Sequence, residues 1–124
     1  GLPDPKIVGI SISRAYQRGM DVLNLHLDRV FNDMGITVDS EKRVKEIIYT
    51  DDYVLGGYSL SNDDVDKICT NMVKYNGIEC DQTYTGKAFN GMINYIKDKD
   101  IKNANILFVH TGGLPLFFDY IRDK

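Results

Sequence analysis

The sequence predicts an α/β protein with a partial parallel sheet and flanking helices. Two apolar segments rich in β-branched residues, 6–13 and 106–110, have the composition of strands. Between them, apolar residues recur at steps of three and four, which is the spacing of amphipathic helices. Strands separated by helices pair in parallel. Because two strands make a poor sheet, we expect residues outside this chain to complete it.

Glycine and capping residues set the boundaries of the predicted elements. Gly35 and the Asn76-Gly77 pair are expected to end helices. Ser61 or Asn62 can cap the helix that follows it through a side-chain oxygen. In chain order we expect a strand over 6–13, a helix over 14–35, a short helix with Val44, Ile47 and Ile48 on one face, a loop over 51–61, a helix to Asn76, a helix from about Thr85, a strand over 106–110 and a C-terminal helix or turn over 114–124.

Composition and charge argue against several classes of function. The 124 residues are 43% hydrophobic and 27% charged with a net charge of -3, as in an ordinary soluble domain. Nucleic acid and anionic membrane both require a basic patch, so neither is expected as the main partner. Cys69 and Cys80 lack metal-ligand spacing, and Cys69 falls on an apolar helical face where a buried, reduced thiol is expected. We therefore expect a cytoplasmic protein without a metal site.

The segment HTGG follows the predicted strand 106–110. Ligands bind parallel α/β sheets beyond the carboxyl ends of the strands. Thr111 offers a hydroxyl there, and Gly112 and Gly113 allow close backbone approach. These residues are candidates for a binding site, and a plain strand-to-turn junction is the alternative. His110, at the end of the strand, is expected to be structural.

A second candidate segment is TYTGKAF, residues 83–89. Tyr84 stands where a helix begins, so the positive end of the helix dipole would ease loss of its phenol proton and suit acid–base chemistry. The alternative is a packing Tyr beside a Thr85 cap. Lys87 is expected to be a solvated residue of the first turn, because GKA lacks the rest of a phosphate-binding loop. A third candidate, Tyr58, follows two glycines in a loop and could line a pocket.

Taken in chain order, four segments resemble the C-terminal part of the D-cysteine desulfhydrase and 1-aminocyclopropane-1-carboxylate (ACC) deaminase family: VGISISR, GGYSLSND, TYTGKAFNGMI and ILFVHTGGLPLFFDY. Members of this family are pyridoxal 5'-phosphate enzymes with the tryptophan-synthase-β-like fold, fold type II. The resemblance covers nearly the whole chain from Lys6 onward. It implies that residues 1–124 are one partial domain, the C-terminal part of the large cofactor-binding domain, and the missing initiator Met fits a processed chain or a piece of a longer one.

The resemblance implies a role for each of five residues. Tyr84 matches the active-site Tyr that assists proton transfer, and Thr85 matches the residue that faces the pyridine nitrogen. Thr111 and Gly112 match the segment around the cofactor ring. Tyr58 matches a Tyr or a neighbouring residue that lines the substrate pocket, although LSND here replaces the usual LPNE.

Two positions favour the desulfhydrase branch of this family. Deaminases typically have Glu where this chain has Thr85 and Leu where it has Thr111. A neutral Thr would make the pyridine ring of the cofactor a weaker electron sink. A weaker sink suffices for β-elimination from a cysteine-like substrate, because thiolate is a good leaving group. The resemblance thus implies a homodimeric lyase with a small amino-acid substrate, producing pyruvate, ammonia and hydrogen sulfide. An ACC deaminase is the alternative.

The Schiff-base Lys and the Gly-rich phosphate loop of the family lie upstream of the matched region. We therefore expect the 124-residue chain alone to be inactive, unable to bind pyridoxal phosphate covalently and unable to hold this cofactor by itself. A non-enzymatic, stand-alone binding domain is a further alternative.

Overall fold

The computed structural model describes residues 5–122, and in this range two short parallel strands are flanked by helices. In chain order the elements are β1 (Val8–Ile10), α1 (Tyr16–Asp33), α2 (Ser40–Lys45), β2 (Ile48–Thr50), α3 (Asp63–Asn76), α4 (Thr85–Asp98) and α5 (Leu114–Arg122). None of the helices described is long and apolar enough to cross a membrane. The described residues exclude 1–4 and 123–124. The N-terminus without an initiator Met and the end of the predicted C-terminal helix therefore lie outside them.

The sheet is formed by β1 and β2, with Val8 opposite Ile48 and Ile10 opposite Thr50. Its parallel pairing and the flanking helices agree with the predicted α/β class. The predicted strand over 6–13 forms ladder pairs only over Val8–Ile10.

The prediction of a helical face shared by Val44, Ile47 and Ile48 is wrong. The helix α2 stops at Lys45, and Ile48 begins β2. Val44 is buried, whereas Ile48 is 41% exposed. The β-branched residues Ile47, Ile48 and Thr50 favour a strand, and the helical spacing of the preceding residues concealed that preference.

The prediction of a buried strand over 106–110 is also wrong for the described chain. Leu107 is 88% exposed and Val109 is 71% exposed, and the sheet among residues 5–122 consists of β1 and β2 alone. A strand requires a neighbour for its N–H and C=O groups, and no neighbour pairs with this segment. Phe108 attaches the segment to α4, because its ring meets the Phe89 ring edge-on with 5.1 Å between centroids.

Glycines let two helices approach the sheet closely. A Cβ atom at Gly91 of α4 would lie 2.6 Å from Ile10 Cγ2 of β1. A Cβ atom at Gly19 of α1 would collide with the Tyr49 ring of β2. Helix α4 therefore packs against β1 and helix α1 against β2.

The buried centre lies between α3 and α4. Val65, Cys69 and Cys80 are fully buried together, and both cysteines are free thiols, as predicted for Cys69. A Cβ atom at Gly86 of α4 would lie 2.5 Å from Cys69 Sγ, so the two helices are in close contact. Burial raises the pKa of Cys69 to about 12, which keeps this thiol protonated and unreactive.

The ends of α3 confirm the capping prediction. The Asn62 side chain accepts a hydrogen bond from the Val65 N–H at 3.0 Å. Gly77 ends the helix in the left-handed conformation, with φ of 65°. Because α3 is fixed at both ends, its buried face presents Cys69 to the first turn of α4, where the candidate site begins.

Candidate functional site

The N-terminus of α4 is organised by Asp81, which sequence reasoning missed. Its side chain is fully buried. One carboxylate oxygen accepts hydrogen bonds from the N–H groups of Thr83 at 2.8 Å and Tyr84 at 2.7 Å, and the other accepts from the Thr85 N–H at 3.0 Å. The first N–H groups of a helix lack partners within it, so Asp81 caps α4 from outside. An Asp shortly before a predicted helix start is the signal that could have revealed it.

Thr85, which the resemblance places at the pyridine nitrogen, is 2% exposed. Its hydroxyl donates to Asp81 Oδ1 at 2.7 Å and accepts from the Asp81 backbone N–H at 2.9 Å. The hydroxyl proton is therefore directed to the carboxylate. To donate to a pyridine nitrogen, the Thr85 hydroxyl would have to give up its hydrogen bond to Asp81.

A cleft of about 400 Å³ opens between the start of α4 and the segment before α5. This volume lies within the range of roughly 300–1,000 Å³ that is common for small-molecule sites. Its lining residues are Tyr84, Thr111, Gly112, Gly113, Pro115 and Leu116. The cleft thus brings together three of the predicted site residues, Tyr84, Thr111 and Gly112. Its lining does not include Tyr58, or Thr85, which is buried.

Two glycines shape the wall of the cleft opposite α4. Gly112 has φ of 107° and Gly113 has φ of 101°, a backbone conformation that other residues rarely adopt. A Cβ atom on Gly113 would collide with the Asp81 carboxylate, whereas one on Gly112 would meet nothing within 4 Å. The wall therefore lies directly against the cap of α4, and this contact requires Gly113.

His110 connects the same wall to the segment that precedes Asp81. Its Nε2 lies 2.8 Å from the Glu79 carbonyl oxygen, and its Nδ1 accepts from the Gly112 N–H at 3.3 Å. Both ring nitrogens are therefore engaged, with Nε2 as donor and Nδ1 as acceptor. The expectation of a structural His is confirmed.

Tyr58 and Tyr84 meet through their hydroxyl groups, which are hydrogen-bonded to each other. Their rings stand edge-to-face, with 5.8 Å between centroids. The hydrogen bond with Tyr58, followed by partial burial, raises the pKa of Tyr84 above its ordinary value of 10.0. The prediction that the helix dipole would ease proton loss is wrong, because the hydrogen bond with Tyr58 stabilises the protonated phenol and the Asp81 carboxylate adds negative charge at that helix end.

Lys87 is fully buried, so the prediction of a solvated side chain is wrong. Its ammonium group donates to the Gly57 carbonyl oxygen at 2.5 Å. Removal from water lowers the pKa of Lys87 below its ordinary value. The residues around Lys87 in the sequence give little indication of its burial, because this burial results from the glycine loop that folds over the first turn of α4.

A second, smaller cleft of about 250 Å³ lies beside α2 and contains none of the predicted site residues. Arg43 and Glu46 in its lining form an exposed ion pair at 2.8 Å. Among residues 5–122, no group of three or more His, Cys, Asp or Glu side chains could hold a metal ion. We therefore place the candidate site in the larger cleft.

The parallel strands and flanking helices are consistent with fold type II at the level of the fold. No family model matches the sequence. The chain is similar to the crystal structure of an ACC deaminase homologue, with a TM-score of 0.70 and 27% identity. The match covers 94% of this chain and 34% of that one, so this chain spans about a third of the length of the protein that it matches. This similarity supports the fold-type II family at the level of the fold.

Proposed function

We propose that the cleft is the ring-side part of a pyridoxal-phosphate site in a D-cysteine desulfhydrase-like lyase. The observation that carries this proposal is the convergence of Tyr84, Thr111 and Gly112 on one cleft. The structural similarity to an ACC deaminase homologue supports it at the level of the fold. When bound, pyridoxal phosphate would supply an electron sink at the α-carbon of an amino acid.

The lining of the cleft fits one face of a flat aromatic ring. Gly112 and Gly113 offer bare backbone for close approach, while Pro115 and Leu116 supply apolar surface. Thr111 and Tyr84 add the few polar groups that orient ligands in such pockets. Lys87 is not in the lining and donates to Gly57, so it does not supply an amine to the ring.

In the proposed reaction, a D-cysteine-like substrate loses its α-proton and its Cβ–S bond breaks. The bonding electron pair leaves with sulfur, which takes up a proton and departs as hydrogen sulfide. Water then converts the remaining enamine to pyruvate and ammonia. We assign the Tyr84 phenol, which lines the cleft, the role of assisting proton transfer in this reaction.

Thr85 supports the desulfhydrase branch over the deaminase branch. The resemblance places Glu at this position in deaminases, where a carboxylate would hold the ring nitrogen protonated. The neutral Thr85 hydroxyl, already bonded to Asp81, provides less help to electron withdrawal. Expulsion of a thiolate requires less help than opening a cyclopropane, so an ACC deaminase remains the second candidate.

The decisive assay uses a naturally occurring protein that contains this chain, purified with pyridoxal phosphate. Tyr84→Phe should lower the rate of D-cysteine breakdown by about 10²- to 10⁴-fold, the range of a general acid. Thr85→Glu should shift the ratio of D-cysteine to ACC turnover toward ACC. An unchanged ratio would contradict the branch assignment, and no turnover of either substrate would favour the stand-alone binding domain.

The chain itself allows a separate test of the site. Pyridoxal phosphate added in large excess should make weak, non-covalent contact that shifts the amide NMR signals of Thr111, Gly112 and Gly113 and leaves that of Gly77 unchanged. Borohydride reduction followed by peptide mapping should find no pyridoxyl adduct on Lys87, because this side chain is buried against Gly57. A stoichiometric adduct at Lys87 would contradict the expectation that this chain cannot hold the cofactor covalently.

A further inference from the structure

The loop that carries Tyr58 has an unusual backbone. Leu55 and Ser59 have φ of 54° and 58°, which residues other than glycine rarely adopt. Between them, Gly56 and Gly57 have φ of 87° and 148°. Such conformations persist only where the surrounding structure holds them in place. The loop therefore needs an anchor.

Lys87 provides a contact of this kind from the first turn of α4. It is fully buried, and its ammonium group donates to the carbonyl oxygen of Gly57, the residue immediately before Tyr58. The ion pairs found among residues 5–122 do not include Lys87. The cation is thus withdrawn from water with a neutral carbonyl as its acceptor.

A buried ammonium group is a poor choice for stability alone. Withdrawing a charge from water is unfavourable unless the charge is paired, and the lowered pKa of Lys87 has this desolvation as its cause. An apolar side chain of similar length would avoid this cost of desolvation. The presence of Lys87 here is better explained by what its hydrogen bond positions.

We propose that Lys87 is a positioning residue that holds the loop through Gly57, so that the Tyr58 hydroxyl meets that of Tyr84 beside the cleft. The consequence for catalysis rests on the proposed function, whereas the hydrogen-bonded pair is a property of the chain itself. Among residues 5–122, the hydrogen bond found for the Lys87 ammonium group goes to Gly57 and to neither phenol, so Lys87 acts on Tyr84 through Tyr58. Loss of the lysine should therefore resemble loss of the Tyr58 hydroxyl.

The test measures the Tyr84 phenol directly in the 124-residue chain without cofactor. Tyrosines are labelled with ¹³C at Cζ, their signals are assigned with single Tyr→Phe variants, and each is followed through an alkaline titration. Lys87→Met, which keeps the length of the side chain and removes the donor, should lower the Tyr84 pKa toward the value in Tyr58→Phe. The double variant should show no further shift, because both substitutions break the same connection.

Two measurements separate positioning from a general structural role. Lys87→Met should keep the far-UV circular dichroism spectrum of the wild type and a cooperative urea transition, and Lys97→Met, at an exposed position of the same helix, should leave the Tyr84 pKa unchanged. If Lys87→Met fails to fold, Lys87→Leu, which also removes the donor, carries the test and should still lower the Tyr84 pKa. An unchanged Tyr84 pKa in the folded lysine variant, or a shift that adds in full to that of Tyr58→Phe, overturns the proposal. Neither result depends on whether the parent protein is a lyase.

Discussion

The two sides of the cleft are held in different ways. On the α4 side, Asp81, Thr85 and Lys87 are almost completely buried, and each has a polar partner. On the opposite side, Leu107 and Val109 are largely exposed, and the segment is attached through Phe108 and through His110. A helix start can satisfy its polar groups with nearby residues, whereas an extended segment depends on a neighbouring strand.

The largest expected effect is at Asp81. Asp81→Ala leaves three N–H groups and the Thr85 hydroxyl without their acceptor, and the two groups of Thr85 are buried. Because each buried unsatisfied group costs about 1–3 kcal/mol, we expect the free energy of unfolding to fall by about 2–6 kcal/mol. Urea unfolding followed by circular dichroism measures this change.

Two variants calibrate that result. Asp81→Asn keeps one acceptor oxygen and should lose about half as much stability as Asp81→Ala. Asp119→Ala removes a carboxylate that is 61% exposed in its ion pair with Arg122, and it should cost less than about 0.5 kcal/mol. If Asp81→Ala and Asp119→Ala have equal effects, the α4 side of the cleft is not held by its cap.

A smaller effect is expected where the two sides of the cleft touch. Gly112→Ala should cost about 1 kcal/mol, because Ala is strained at a positive φ. Gly113→Ala has the same strain and also drives a Cβ atom into the Asp81 carboxylate, which is fixed by its hydrogen bonds. We expect an additional loss of about 1–2 kcal/mol from this overpacking, measured by urea unfolding.

The Gly113 effect should depend on Asp81. In an Asp81→Ala background the collision disappears, so Gly113→Ala and Gly112→Ala should then cost similar amounts. If the extra cost of Gly113→Ala persists in that background, the close contact between the wall and the cap is contradicted.

The same contrast explains what could be predicted from the sequence. The ends of α3 were predictable because Asn62 and Gly77 act within a few residues of the backbone groups that they satisfy. The start of α4 was predictable for the same reason, although the cap itself, Asp81, was missed. Hydrogen bonds between residues close in sequence produce recognisable sequence patterns, and the helix boundaries that depend on them can therefore be predicted.

Features that depend on distant parts of the chain were not predictable. The burial of Lys87 depends on Gly57, thirty positions earlier, and no pattern near either residue indicates the contact. The pairing of β1 with Ile48–Thr50 was hidden because Ile48 continued a helical spacing. Tyr84, Thr111 and Gly112 do converge on one cleft, while the chemical roles assigned to them stay predictions.

The smallest expected effect is at Leu107, and it measures how little the segment 106–110 contributes to the chain by itself. Leu107→Asp changes a side chain that is 88% exposed, so the free energy of unfolding should change by less than about 0.5 kcal/mol. Phe108→Ala removes the ring that packs against Phe89, and it should cost about 1–2 kcal/mol because that ring is only partly buried. Urea unfolding at several protein concentrations checks both values.

A large loss for Leu107→Asp that grows with concentration would show that the exposed segment pairs with a second copy, since an unpaired apolar segment is a template for association. A large loss independent of concentration would contradict the exposure of Leu107 in the single chain.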